Sequence, residues 1–414
     1  MPKPKVILQL YPTLPTEDRA DREAKRPIGR DGDLYHEVLH EWLEVVKAAD
    51  EMGVWGISTI EHHFHSEGYE VGPNPGVLNA WWASHLKNAR VGAQGYVLAT
   101  QAPVRVAEEC AILDHITKGK FFCGLARGYQ SRWTNVLGQA NDMVAAHAHT
   151  MGGEDDLHNR AVFEERVEML LKCWSEDSLV LDGEYYQAPY PLKDGIEYPA
   201  AESAKTAGAE GEIGEDGRVH RVSVVPKPYQ DPHPPIFQSV SASADSISFA
   251  AKKGFRPTLI MPHKKIVEFS GLYLEEAHAA GHDFVLGERQ NMVRWIHIAD
   301  SEEEYNRKLE AYDRDIYENF YAPFFPQYDT MTASDSIEEI KKSGVFYGGT
   351  VEKLTNDLAE AHQEVPTEFI TLIWHFAQIP KDEMLGELNV FMNEVLPELE
   401  APVTNGAVTV GGVT

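Results

Sequence analysis

Residues 60–65 read Ile-Glu-His-His-Phe-His, a glutamate and three histidines within five positions. Imidazole titrates near neutrality, so His62 could give or take a proton at a reacting centre. The same side chains could instead ligate a metal ion. Spacing bears on the choice. On an extended strand, neighbouring side chains point to opposite faces. His62 and His63 would then diverge, and only His63 and His65 would share a face. No fixed zinc pattern such as HExxH covers this stretch, and no metal site is expected. Glu61 and His63 are expected to brace the barrel through hydrogen bonds. A third reading makes the whole stretch the polar end of a core strand.

Such a cluster needs elements to position it. Short apolar runs alternate with amphipathic segments along the 414 residues. VILQL (6–10) predicts a buried strand, and residues 39–53 predict a helix with Leu39, Trp42, Leu43, Val46, Ala49 and Met52 on one face. Gly53 ends it. WGISTIEHHF (55–64) is then a second strand that runs straight into the histidines. Further strands are expected over 89–100, 120–129, 234–240, 257–262, 292–299 and 368–376, with helical segments between them. A hairpin is expected over 178–187. Eight strand–helix units in order predict an α/β protein, a closed (β/α)8 TIM barrel. No GxGxxG opens a helix after the first strand, which disfavours a dinucleotide-binding open sheet. Barrel chemistry sits at the C-terminal ends of strands. Glu61-His62-His63, Arg127-Gly128-Tyr129 and Trp374-His375 all fall at such ends.

Composition narrows the partners. Lys plus Arg is 37 and Asp plus Glu is 65, a formal charge of −28. That surface repels nucleic acid and anionic lipid. The three cysteines, Cys110, Cys123 and Cys173, show no metal or redox spacing. No apolar run reaches membrane-spanning length. A cytoplasmic protein is expected, with one domain over 1–400. It carries insertions near 130–160, 185–230 and 311–346 and a flexible tail over 401–414. Residues 200–218, small, acidic and Gly-rich, are expected to form a surface excursion, and His147, His149 and His158 to be surface histidines. Residues 312–328 hold seven Tyr or Phe, suited to a pocket lid or to a dimer contact.

IEHHFHSEG, the run VGAQGYVLATQAPVRVAEECAILDHITKGKFFCGLARGY, PPIFQSVSASADSISFAAKKG and YGGTVEKLTNDLAE together resemble the bacterial luciferase-like, flavin-dependent monooxygenases. The resemblance implies a luciferase-like barrel that binds reduced FMN (FMNH2) at its mouth. Dioxygen, as co-substrate, adds at flavin C4a, and the resulting (hydro)peroxide oxygenates a small apolar or aromatic substrate. It also implies a separate NAD(P)H flavin reductase, a homodimer, and His62 as the catalytic residue. Arg127 and Ser243 correspond to flavin-phosphate contacts, with Gly128, Tyr129 and Ala244 beside them. Gln94-Gly95 corresponds to a non-prolyl cis peptide under the flavin. Phe64, Trp374 and His375 fall at the substrate pocket. The bland readings are an Arg127 paired with a rim carboxylate, a Ser243 that only caps a helix and a Gly95 that marks a bulge. Ala126 stands where luciferases carry a reactive cysteine, a departure that argues against light-emitting activity. Two other readings remain. One is an F420-dependent hydride-transfer enzyme on the same barrel. The other is a flavin-binding partner subunit without turnover.

Overall fold

The structure is a computed structural model, which describes residues 3–146, 150–240, 243–324 and 336–400. The strands are β1 (Lys5–Leu10), β2 (Gly56–Thr59), β3 (Arg90–Val97), β4 (Phe121–Ala126), β5 (Leu181–Asp182), β6 (Gln187–Ala188), β7 (Ile236–Val240), β8 (Arg256–Leu259), β9 (Asn291–Ile298), β10 (Phe346–Gly349) and β11 (Phe369–Trp374). The chain folds as a closed (β/α)8 barrel, as the strand–helix rhythm predicts. It divides into two compact units, Met1–Gly95 with Ile236–Thr414, and Tyr96–Pro235.

In the first unit β1 lies parallel between β2 and β11, with Ile7 opposite Gly56 and Thr371. β2 pairs with β3, β7 with β8, and β9 with β8 and β11. Parallel strands covered on both faces need apolar residues at every position, and β1 and β11 are buried almost throughout. A polar layer crosses this apolar ground. Thr371 Oγ1 lies 3.2 Å from Gln94 Oε1 and 3.0 Å from Asn291 Oδ1, and Asn291 Nδ2 donates to Thr258 Oγ1 at 3.2 Å.

Four expectations change. The second strand stops at Thr59, so the histidines lie in a loop and not on an extended strand. β10, a short Gly-containing segment, pairs with the far end of β9 and was not expected as a strand. The helix Gly32–Met52 starts on Asp31, whose carboxylate accepts from the Asp33 and Leu34 amides, and ends at Gly53 with φ +85°. Its buried face is Val38, Trp42, Val45, Val46, Ala49 and Asp50, one step round from the expected stripe. The reason is Asp50, whose carboxylate turns inward to accept the Lys87, Asn88 and Ala89 amides at 2.9, 2.8 and 2.6 Å, fixing the entry to β3.

The second unit carries β4 and the helices Pro103–Thr117 and Glu154–Ser175. The Gly-rich stretch contains a helix, Ala201–Ala207, and antiparallel bridges join Ile196 and Ile213 to Val219. Cys110 and Cys123 are free thiols with sulfurs 3.7 Å apart, and Cys173 is also free and buried. Among the described residues, no helix is long and apolar enough to cross a membrane. His147, His149, residues 325–328 of the aromatic segment and the tail 401–414 lie outside the described residues.

Candidate active site

The loop after β2 is clamped from below. Arg22 is buried, and its guanidinium reaches Glu67 O at 2.9 Å, Leu14 O at 3.2 Å, Thr16 Oγ1 at 2.9 Å and Asp315 Oδ2 at 2.6 Å. Asp315 Oδ2 also accepts from Tyr69 O–H at 2.8 Å. A rigid fork of donors suits this work better than a flexible ammonium. Phe64 takes φ +64°, which re-aims the chain between His63 and His65.

That turn decides the histidine geometry. His62 and His65, expected on opposite faces, lie with ring centroids 5.4 Å apart. His62 Nδ1 sits 2.7 Å from Glu70 Oε2. His65 Nδ1 donates to Tyr69 O at 2.6 Å. His63 Nε2 turns to Glu61 Oε1 at 3.1 Å. His62, His65 and Glu70 bring one ligand atom each within 4.8 Å of one another. His62 Nδ1 is turned to Glu70, and His65 Nδ1 is taken up by the Tyr69 carbonyl. Burial alone would raise the Glu70 pKa. The charges of His62 and His65 and the hydrogen bond from Tyr321 hold it below the ordinary carboxylate range.

A longer run of buried polar groups continues from Glu70. Tyr321 O–H donates to Glu70 Oε1 at 2.6 Å and lies 2.9 Å from His375 Nε2. His375 Nδ1 meets Asp313 Oδ1 at 2.6 Å. Asp313 Oδ2 meets His297 Nε2 at 2.7 Å, and His297 Nδ1 lies 3.3 Å from Glu387 Oε2. Lys308 Nζ donates to Glu387 Oε1 at 2.6 Å. Burial disfavours the His297 cation, but Asp313 and Glu387 outweigh it and raise its pKa to about 10. Burial likewise disfavours the Asp313 anion, yet His297 and then His375 hold its pKa down to about 2. Glu70, Tyr321, Asp313 and His297 escaped the sequence reading. Their partners lie up to 251 positions away, and no local pattern marks them.

Trp374 and His375, expected at the substrate pocket, are 1% and 0% exposed. Trp374 Nε1 donates to Glu387 Oε2 at 2.9 Å, and His375 receives Trp295 Nε1 at 3.3 Å. Phe64 is 51% exposed. The aromatic segment does not form an outer surface in its described part. Tyr317, Phe320 and Tyr321 are buried against Tyr11, Ile60, Tyr69, Trp295 and Phe346. The Gln94–Gly95 peptide is cis. Ser243 caps the helix Ala244–Lys252, its hydroxyl accepting from the Ser246 amide.

In the second unit Arg127 follows β4, and Nη1 donates to Asp156 Oδ1 at 2.8 Å. Arg160 adds a 3.5 Å ion pair to the same carboxylate. Burial opposes the Asp156 anion, but the Gly152 amide and both arginines keep its pKa low. Gly128 takes φ +89°, and a Cβ there would lie 2.8 Å from Thr134 Oγ1 and Val97 Cγ1. Tyr129 is partly exposed and accepts from Gln130 Nε2 at 3.1 Å. His158 is not a free surface group, since Nε2 bonds Asn141 O at 2.7 Å. One further pattern went unread. His36-Glu37-Val38-Leu39-His40 matches HExxH, with the two rings 4.5 Å apart on an exposed helix face. Among the described residues it gains no third ligand.

Residues 14–368 match the family model of luciferase-like monooxygenases. The chain is 25% identical over 292 residues to the alkanal monooxygenase alpha chain of Photobacterium leiognathi, covering 70% of this chain and 67% of that one. It is 24% identical over 291 residues to the oxygenase component of a flavin-dependent trigonelline monooxygenase from Acinetobacter baylyi, with the same coverage. The barrel superimposes with a TM-score of 0.69 and 17% identity on the oxygenating constituent of 3,6-diketocamphane monooxygenase from Pseudomonas putida, solved with FMN. That match covers 97% of this chain and all of the other. The protein is an oxidoreductase that belongs to the luciferase-like, flavin-dependent monooxygenase family.

Proposed function

We propose that the protein is the oxygenase component of a two-component system. It takes FMNH2 from a separate NAD(P)H flavin reductase and uses dioxygen to oxygenate a small apolar or aromatic molecule. The observation that carries this reading is His62, a partly exposed imidazole backed by a buried carboxylate, within a motif that resembles the family's catalytic stretch. A flavin also suits the residues present. Gln94 Nε2 and Gln9 Oε1 are buried amide atoms without hydrogen-bond partners among the described residues, a donor and an acceptor that a flavin's polar edge would satisfy.

The reduced flavin, when bound, supplies the electrons that activate dioxygen. The chain's own residues do the rest. His62 moves a proton at Nε2, because Nδ1 faces Glu70. The cis Gln94–Gly95 peptide would offer backbone to a flavin. In the second unit Arg127, bonded to Asp156, would offer its guanidinium to a flavin phosphate, with Gly128 and Tyr129 beside it in sequence. Ser243 and the Ala244 amide open a helix whose N-terminal N–H groups favour an anion. Phe64 offers an exposed apolar face to substrate, while Trp374 and His375 support the site from within. The reading includes a homodimer working in the cytoplasm.

The test mixes anaerobically reduced FMN and protein with aerated buffer and follows flavin absorbance. The expected result is a return of oxidised flavin much slower than for free FMN, with the delay largely lost in His62→Gln. Reoxidation at the free-flavin rate in both proteins refutes the reading and directs the next titration to F420.

A further inference from the structure

The turn at Phe64 removes the reason for expecting no metal ion in this stretch. On an extended strand His62 and His63 would diverge, whereas in the loop His62 and His65 come together on one carboxylate, Glu70. Glu70 is 1% exposed and His65 6%. The two oxygens of Glu70 differ. Oε1 accepts from Tyr321 O–H at 2.6 Å. Oε2 is buried and accepts no hydrogen bond, although His62 Nδ1 stands 2.7 Å away. A buried anion costs stability where its lone pairs are unmet, and a cation on Oε2 offsets that cost. His65 is prepared in the same sense. Its Nδ1 donates to the Tyr69 carbonyl at 2.6 Å, which puts the lone pair of the neutral ring on Nε2. Histidines that ligate metals are usually held in this way, with the other ring N–H on a carbonyl, and ligating carboxylates are in turn hydrogen-bonded, as Tyr321 does for Glu70. Tyr11 packs on the His62 ring and Phe320 on the His65 ring, so the donors lie among aromatic side chains.

We propose that His62, His65 and Glu70 form a site for a divalent transition-metal ion of the zinc class, and that its occupancy stops proton transfer at His62. Two imidazoles and a carboxylate are a zinc donor set that leaves a fourth position for water. Magnesium and calcium favour oxygen donors, and this cluster offers two nitrogens to one carboxylate. Zinc ligands at about 2.0–2.1 Å from the ion stand roughly 3.4 Å from one another, so the His62–Glu70 contact opens and the wider gaps close by about 1 Å as the ion enters. The ion takes the Nδ1 lone pair of His62, and any proton on Nδ1 leaves to solvent. A ring with Nδ1 on the ion and a proton on Nε2 has no lone pair for a second proton, so it no longer accepts one. This second half rests on His62 as the proton-handling group of the oxygenase reading. The binding half does not.

The first readout uses the full chain without flavin. His36→Gln with His40→Gln is the background, because that exposed pair also offers two imidazoles. The chelator-stripped protein is titrated with cobalt(II), whose visible absorption reports its ligands. One equivalent should bind with a visible band and be displaced by zinc. Glu70→Gln and His65→Gln should each weaken binding by at least about 100-fold, and Tyr321→Phe, which keeps every ligand, by roughly 10-fold. Circular dichroism checks the fold of each variant, and His65→Gln carries the comparison where Glu70→Gln does not fold. Absence of the band, or an affinity unchanged in the folded variants, overturns the site. The second readout is flavin reoxidation in aerated buffer. One equivalent of zinc should remove the delay in the background protein and spare it in His65→Gln, which loses the site and keeps His62. A delay that zinc leaves intact overturns the switch. If the protein shows no delay without zinc, the oxygenase reading fails, and the cobalt titration still decides the site.

Discussion

Asp313→Asn probes the most strongly charged part of the buried network. The substitution keeps the shape and removes the anion between His297 and His375. At about 1.36 kcal/mol for each tenfold change in proton affinity, the rise of the His297 pKa from 6.5 to about 10 corresponds to about 5 kcal/mol. Glu387, at 3.3 Å from the other ring nitrogen, retains part of this. The variant should therefore lose about 3 kcal/mol near pH 6.5, at the low end of what breaking a buried pair costs. The sign of the pH dependence follows from the raised value. The stabilisation is complete below 6.5 and is lost as pH rises through 10. On the acid side, the Asp313 contribution is present above 3.8 and is lost as pH falls toward 2. Denaturant titrations of both proteins at pH 6.5, 8 and 10, followed by circular dichroism, give the difference between them. It should be largest at pH 6.5 and shrink toward pH 10. Curves that stay parallel over that range would refute the assignment of the shift to Asp313.

Gly128→Ala should destabilise the protein by about 2–4 kcal/mol, from a left-handed backbone and two contacts at 2.8 Å, measured by thermal or denaturant unfolding. Gly29→Ala would place a Cβ 2.3 Å from His65 O, so it should displace the His62 loop and slow the flavin reaction more than it lowers the unfolding midpoint. Asp50→Asn should cost about 2–3 kcal/mol, because three backbone amides lose a charged acceptor, seen as a lower unfolding midpoint. Arg127→Ala should weaken FMN binding by roughly 10- to 100-fold, the loss of a charge-assisted contact of about 1.5–3 kcal/mol, read by quenching of flavin fluorescence.

The eight barrel strands were legible because each is an apolar run bounded by Gly, Pro or charge. Gly53 was legible as a helix stop for the same local reason. The cis Gln94–Gly95 peptide came through resemblance alone, since nothing in its two residue types demands it. The His62 neighbourhood was misread at one point. The Ile-Ser-Thr-Ile pattern continues past Thr59 as a strand would, but Phe64 turns the chain and pairs His62 with His65. Asp50 shows the same limit on the helix Gly32–Met52, where a charge at an apparently solvent position is drawn inward by three amides. The rest of the network was invisible for a physical reason. Glu70, Asp313, Tyr321 and His297 meet only after loops hundreds of residues long have closed, and periodicity reports neighbours within a few turns.

The helical stretch that delivers Asp313 and Tyr321 contains two π-helical turns, Leu309–Asp313 and Tyr317–Tyr321. Each widened turn accommodates a residue that an ordinary α-helix would place about 100° further round. The segment therefore has a phase as well as a composition. Substitutions along its outer face leave that phase intact. Removing one residue from either turn would let it relax to α-helix and rotate everything downstream, carrying the Tyr321 hydroxyl off its bearing while every residue type in the site remained present. In this region the length of the chain is as much a determinant as its letters.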